Sequence, residues 1–248
     1  DCVDDHEAQV AISRDARRIK KEEEQIMDRA ELVTVTSVHL KKQKKRWKNK
    51  VHLVLNAGDV KAFAKSCSYQ PDLFKKIKKP VIGTIGTLDS YKLDFQLIER
   101  AAKARPDWSF VLGGSPMVSK EKTVGERLKK LKNVYVTGVI DKEAAPAYVN
   151  NFDVCIIPYK KNRYNRSSFP LKFWEFMITG KPIVVTGLPE LERYKGLMGY
   201  AQGADQFIKM VTKWLDNPSR GRSERVKLAR RHGWDDRVSE LMKLVIKL

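Results

Sequence analysis

Ser167-Ser168-Phe169-Pro170-Leu171-Lys172-Phe173-Trp174-Glu175-Phe176-Met177-Ile178-Thr179-Gly180-Lys181-Pro182-Ile183-Val184-Val185-Thr186 is the stretch on which the reading of this chain turns. A tight turn bearing Ser and Pro opens a short helix, and Gly180 and Pro182 end it and start an apolar strand. A helix N-terminus presents free backbone N–H groups and a positive dipole end, which suits a phosphate, and Lys172 adds a mobile cation beside it. Glu175, placed two turns from the loop, is the single acid among Phe173, Trp174, Phe176 and Met177, and can accept two hydrogen bonds from a ribose diol. Spacing alone also fits a buried amphipathic helix with one carboxylate at its rim.

Outward from this stretch, short apolar runs alternate with helical patterns. Strands are expected near 81–86, 108–113, 133–137, 153–158 and 182–186, with helices near 93–104, 122–131, 142–151 and 171–179. Continuously apolar strands separated by helices argue for a buried parallel sheet, and right-handed crossovers make it a doubly wound, Rossmann-like α/β domain. Before it lie a long polar helix over 7–29, strand 32–36, helix 38–48 and strand 51–55. Residues 67–79, with Pro71 and Pro80 at the edge, read as a linker. The tail carries helices near 203–216, 221–231 and 234–247, the last beginning at Trp234.

The Ser167–Thr186 stretch resembles the nucleotide-sugar motif of the GT-B glycosyltransferases of the family 4, group 1 type. There the pattern is E-x7-E, a small-residue turn and G-[KR]-P-[VI]-[VI]. Glu175 matches the second acid and Gly180-Lys181-Pro182-Ile183-Val184-Val185 the turn and strand. Ser167 stands at the first acid and Pro170 replaces a Gly, a departure shared by branches reading S-x-P-L-K-x-x-E. Further pieces are similar in the same order over nearly the whole chain. They are Ala30–Ser37 (ADLVVVTS), Asn56-Ala57-Gly58-Asp59 (NGVD), Ile82–Asp89, Arg105–Gly114 (RPDWxFVLxG), Asn133–Gly138 and Phe152–Tyr159 (FDVxxxP[YF]). The start, Asp1-Cys2-Val3-Asp4-Asp5, resembles "YDCVDD" deep inside the family's N-terminal domain, so the chain reads as a fragment.

The resemblance implies the C-terminal, donor-binding half of a GT-B enzyme with a partial second α/β domain before it. Residues 1–66 are then the remnant of the acceptor-side domain, 67–79 the linker, 80–232 the nucleotide-sugar-binding domain, and 233–248 a helix returning to the N-terminal domain. Site residues follow position by position. Ligands in such sheets sit beyond the carboxyl ends of the strands. Gly83 and Gly86 flank Thr84-Ile85 in a loop that is not G-x-G-x-x-G, which argues against a dehydrogenase. Relatives hold the diphosphate with an Arg after the second Gly and a Lys further on. Thr87 fills the first place and Lys92 the second, so charge neutralisation rests on Lys92 and Lys172; Lys92 also reads as a solvated lysine at a helix start. Gly113-Gly114 admits a base or ribose close to the backbone, or is a simple turn. Val139 stands where relatives read the base edge with main-chain groups, and Ser167, Ser168, Phe169 and Leu171 form the turn that meets the phosphates. Tyr159 stacks on a ligand or caps the core, and Lys160 to Arg166 read as a mobile basic loop covering a diphosphate or as solvated charge.

Composition bounds the partners. The 248 residues suffice for one or two domains, and the apolar runs are strand-sized, too short to span a membrane. The acidic start has no signal-peptide pattern. Cys2, Cys67 and Cys155 are far apart and without CxxC, and read as reduced cytosolic thiols. Four scattered histidines (His6, His39, His52, His232) offer no ligand spacing and read as surface or packing residues, so neither cofactor nor metal is expected. The charge of +19 is uneven. Lys41, Lys42, Lys44, Lys45, Arg46, Lys48 and Lys50 crowd one short helix around Trp47, and basic residues recur at Lys75–Lys79 and Arg220–Arg231. Such a helix with an exposed aromatic can lie on anionic lipid or bind nucleic-acid phosphates, or it is a solvated face. The absence of RRM, KH, zinc-finger and helix-turn-helix patterns ranks nucleic acid last.

Three readings follow. The first is a cytoplasmic glycosyltransferase, peripheral on the inner membrane face, moving a sugar from a nucleotide donor to a glycan or lipid-linked hydroxyl in cell-envelope synthesis. Here Ser168, Lys92, Lys172 and the helix end meet the leaving diphosphate without a metal, Glu175 orients the nucleotide, and no catalytic base is assigned. The second is a GT-B nucleotide-sugar epimerase. The third is a basic membrane- or nucleic-acid-binding module on a nucleotide-binding scaffold.

Overall fold

A computed structural model of the chain describes residues 1–9, 13–65, 69–114 and 122–248. Two parallel sheets organise it. The smaller pairs β1 (Val33–Val35) with β2 (Val51–Leu53), and Cys2 bridges to Val35 on the other side of β1. The larger contains β3 (Val81–Ile85), β4 (Ser109–Gly113), β5 (Val134–Val136), β6 (Val154–Pro158), β7 (Ile183–Thr186) and β8 (Gly199–Ala201). Its order is β5-β4-β3-β6-β7-β8, all neighbours parallel. The chain therefore adds strands in one direction, returns to the middle and adds the rest in the other. This is the doubly wound order, and the reversal falls between β3 and β6.

The central strands β3, β4 and β6 are buried at every position, as expected of strands covered by helices on both faces. Helices start where the side chains cap them. Asp94 accepts from Leu97 N–H before Phe95–Ala104, Asn162 from Asn165 N–H before Arg163–Ser167, and Ser37 from Leu40 N–H before Val38–Gln43. The Ala204–Asp216 helix packs on Phe95–Ala104 and on β7 and β8.

Two apolar clusters divide the chain. Cys2, Met27, Val33, Val35, Leu40, Trp47 and Val51 form the smaller, with Ala30 and Leu53 against it. Val60, Phe63 and Phe74 already belong to the larger cluster, which runs on to Ala229.

The structure corrects several expectations. In the first helical region His6–Gln9 and Ser13–Arg29 are helical, and Val10 and Ile12 lie outside the described residues. The basic helix is shorter than its charge pattern suggested, Val38–Gln43 followed by a single 3-10 turn at Lys45–Trp47. Trp47 is buried, not exposed, because its indole N–H reaches Asp28 at 2.7 Å and its rings fill the smaller core. Within the 67–79 stretch, Asp72–Lys76 is helical and Phe74 packs edge-on to Tyr148. The Lys160–Arg166 segment is not a loose loop. Arg163–Ser167 is a helix whose buried Asn165 donates to the carbonyls of Lys92 and Lys160 at 2.9 and 2.8 Å. Cys2 and Cys155 are free and buried, and burial pushes both thiols up to about 12. Cys67 lies outside the described residues.

Candidate functional site

The strand-order reversal opens a cleft of about 490 Å³ at the carboxyl ends of β3, β4 and β6. Its floor is backbone. Gly86 follows β3 at φ 112° and Gly114 follows β4 at φ 151°, and a side chain on Gly114 would stand 1.8 Å from the Gly86 carbonyl oxygen. The two loops cross too closely for anything but glycine at Gly114.

One wall is the Lys172–Ile178 helix and the turn before it. The helix has seven residues and Glu175 lies in its first turn, not two turns on. At that length the helix dipole is small, so the electrostatics rest on side chains. Lys172 Nζ sits 5.8 Å from the Tyr159 ring centroid and about one van der Waals contact from the space above Gly86. Burial, helped by Lys92, lowers its pKa to about 8 against the pull of Glu175. Lys92 Nζ lies over the Tyr91 and Tyr164 rings at 5.4 and 5.3 Å. Two ammonium groups thus line the cleft near enough to repel each other until an anion lies between them.

Glu175 follows three residues after Lys172 on the same helix and lines the same cleft. Its Oε1 accepts a long 3.5 Å bond from Asp59 N–H, and burial raises its pKa above the ordinary carboxylate value. The N-terminal segment reaches it because residue 58 is glycine: a Cβ there would meet Trp174 Cβ at 2.9 Å and Glu175 N at 3.1 Å. Asn56 ties the same segment to the turn, donating to the Phe169 carbonyl at 2.7 Å and accepting from the Trp174 indole at 2.9 Å. Among the described residues no group of three or more His, Cys, Asp or Glu side chains is placed to hold a metal ion.

A strand-order reversal with an acid and paired ammonium groups lining one cleft offers groups that can bind hydroxyls and an anion. Residues 79–217 match the model of the family described as Glycosyl transferases group 1. The chain belongs to that family. It is 32% identical over 237 residues to the Bacillus subtilis (strain 168) protein named as the teichuronic acid biosynthesis glycosyltransferase TuaH, covering 91% of this chain and 59% of TuaH. Among solved structures it resembles Anabaena HepE in complex with UDP-glucose, with a TM-score of 0.80 and 14% identity over 99% of this chain and 71% of HepE. It also resembles sucrose-phosphate synthase from Thermosynechococcus elongatus, with a TM-score of 0.72 and 20% identity over 96% of this chain and 64% of that one. At such identities these structures establish the GT-B fold.

In this group 1 glycosyl transferase chain, eleven of the twelve residues singled out from sequence line the one cleft: Gly86, Thr87, Lys92, Gly113, Gly114, Val139, Ser168, Phe169, Leu171, Lys172 and Glu175. Ser167 does not. It ends the Arg163–Ser167 helix fully buried, and its hydroxyl has no hydrogen-bond partner among the described residues. The Ser168 hydroxyl is engaged, donating to the Tyr164 carbonyl at 3.3 Å. Phe169 is buried, its ring stacked on Trp174 and its carbonyl taken by Asn56. Val139 and Leu171 are exposed at the mouth. Sequence reasoning missed two polar lining residues, Asp4 and Asn56. Asn56 opens the Asn56-Ala57-Gly58-Asp59 turn, a signal that was present.

Proposed function

We propose that this chain carries the donor site of a glycosyltransferase that moves a sugar from a nucleoside diphosphate to a hydroxyl of a glycan or lipid-linked acceptor in cell-envelope polysaccharide synthesis. The observation that carries the reading is that Glu175 and the Lys172–Lys92 pair line one cleft at the strand-order reversal. The acid accepts from the ribose diol. The two ammonium groups neutralise the diphosphate, which develops charge as it leaves. Gly113 and Gly114 let the nucleoside approach the backbone, with Val139 at the base edge. TuaH, by its name a glycosyltransferase of teichuronic acid biosynthesis, supports the envelope role, and the UDP-glucose bound to HepE supports a nucleotide-sugar donor.

The chain spans 59% of the length of TuaH, so acceptor recognition belongs largely to sequence outside it. On this reading residues 1–66 are acceptor-side, 67–79 linker, 80–232 donor-binding and 233–248 a helix returning toward the N-terminal side. The Gly58 N–H donates to the His232 carbonyl just before that helix, which supports this reading. No helix of the described residues is long and apolar enough to cross a membrane. Membrane contact on the cytoplasmic face then falls to exposed lysines such as Lys41, Lys42 and Lys45 rather than to Trp47.

Calorimetric titration of UDP, GDP and ADP into the chain and its Glu175→Ala variant tests the site. Saturable binding of one nucleotide, weakened about tenfold or more in the variant, is the expected result. A folded wild-type chain that binds none of the three sinks the reading.

A further inference from the structure

Two carboxylates are found among the described residues that line the cleft, Glu175 and Asp4. They stand at opposite ends of a chain of neighbouring groups. Glu175 and Lys172 feel each other's charge, Lys172 in turn feels Lys92, Lys92 lies over the Tyr164 ring, and the Tyr164 phenol feels Asp4. With the nucleoside of a bound donor at Glu175 and its diphosphate at the lysines, Asp4 is the other carboxylate found among the described lining residues to meet the remaining substituent.

Asp4 is built into this place. Cys2 N–H donates to the Thr34 carbonyl and Thr36 hydroxyl to the Val3 carbonyl, so residues 2–4 leave the smaller sheet in the strand direction of β1. Asp5 next to it is spent on structure, buried and accepting from Ala8 N–H and the Arg163 guanidinium. Asp4 is half-buried and lines the cleft beside the neutral Tyr164 phenol, so its carboxylate has acceptor capacity to offer there. Sugar hydroxyls are donors, and a carboxylate gives them charge-assisted bonds.

We infer that Asp4 is the carboxylate that binds hydroxyl groups of the sugar carried on the donor diphosphate, with Tyr164 positioning it. The inference rests on the nucleotide-sugar reading above. The test compares UDP with UDP-glucose, GDP with GDP-mannose and ADP with ADP-glucose in calorimetry, using the pair whose diphosphate binds the wild-type chain. Asp4→Asn is expected to leave the nucleoside diphosphate affinity unchanged and to weaken the sugar nucleotide about tenfold. Tyr164→Phe is expected to do the same more weakly, with circular dichroism confirming that both variants fold. Equal weakening of both ligands would overturn the inference, as would unchanged affinity for both, or a wild-type chain that gains nothing from the sugar. Absence of nucleotide binding by the wild type is a different result, because it removes the donor site itself. An Asp4→Asn chain that keeps its sugar-nucleotide affinity yet loses transfer, in a protein with its acceptor side present, moves Asp4 to the acceptor and likewise overturns the donor assignment.

Discussion

The indole of Trp174 lies flat on the imidazole of His232, ring centroids 3.7 Å apart and planes 7° from parallel. The stack joins the helix that carries Glu175 to the start of the C-terminal helix, and Arg237 donates to His232 Nδ1 at 3.0 Å. An imidazole accepting from a guanidinium must be neutral there, and burial, helped by Arg237, pushes its pKa down to about 4.

The unfolded chain takes up that proton below the ordinary value of 6.5, the folded chain only below about 4. The contribution of His232 to stability is therefore complete above pH 6.5 and lost progressively as pH falls to 4. His232→Phe keeps the stack and removes the titration. Thermal melts of both proteins between pH 7.5 and 4 should show the wild type losing more of its melting temperature than the variant; parallel curves would refute the assignment.

Glu175 carries a cost of burial that its ligand is expected to relieve. Its folded pKa is raised, so the folded chain holds a proton that the unfolded chain has released, and stability declines as pH rises through that window. Glu175→Gln keeps an oxygen for the Asp59 N–H and discards the charge. At pH 7 it should melt about 2 °C higher than wild type while binding nucleotide more weakly, a trade of stability against function. A variant that is both less stable and weaker-binding would contradict this account.

Lys172 loses its charge near pH 8 in the free chain. Nucleoside diphosphate affinity should be full below about pH 7 and fall as pH rises through 8, and Lys172→Met should be weak and nearly flat over the same range. Titrations at pH 6.5, 7.5 and 8.5 decide it. An affinity that rises with pH would be incompatible with an ammonium at the phosphates.

Arg225 is fully buried and spends its guanidinium on carbonyls, those of Gly180, Leu197, Arg220 and Pro218, with the Trp214 ring 5.1 Å away. Burial lowers its pKa to about 10, still charged at neutral pH. Gly180 ends the stretch that carries Glu175, so the guanidinium braces the Lys172–Ile178 helix from behind. Arg225→Met leaves these carbonyls without their donor and should cost about 3 kcal/mol or more in urea unfolding. Arg225→Lys should recover little, because one ammonium cannot reach both ends of the fork.

What was legible in the sequence was what is local. Lys172, Glu175 and the Gly180 turn lie within nine residues of each other, and the apolar runs of β3, β4, β6 and β7 announce themselves one by one. Asp4 was invisible as a site residue because its place depends on Tyr164, a contact across most of the chain. Trp47 misled for the same reason. Surrounded by lysines it looks like a surface anchor, and only Asp28, nineteen positions earlier, shows that the indole turns inward. The Arg163–Ser167 helix is five residues long, too short for a periodicity, and is held by the Asn162 cap and the buried Asn165 amide. The Gly199–Ala201 strand has three residues and reads as strand only once β7 is beside it.

β3 is aligned with β4 at five positions but with β6 at only two, Ile82 with Val154 and Gly83 with Cys155. The sheet is thus stitched most loosely at its midline, and the cleft is a parting between backbones rather than a hollow carved by side chains. Changing a lining residue alters what the parting can grip without sealing it. Variation within such a lineage can change what the cleft accepts, while the cleft itself stays where the strand order put it.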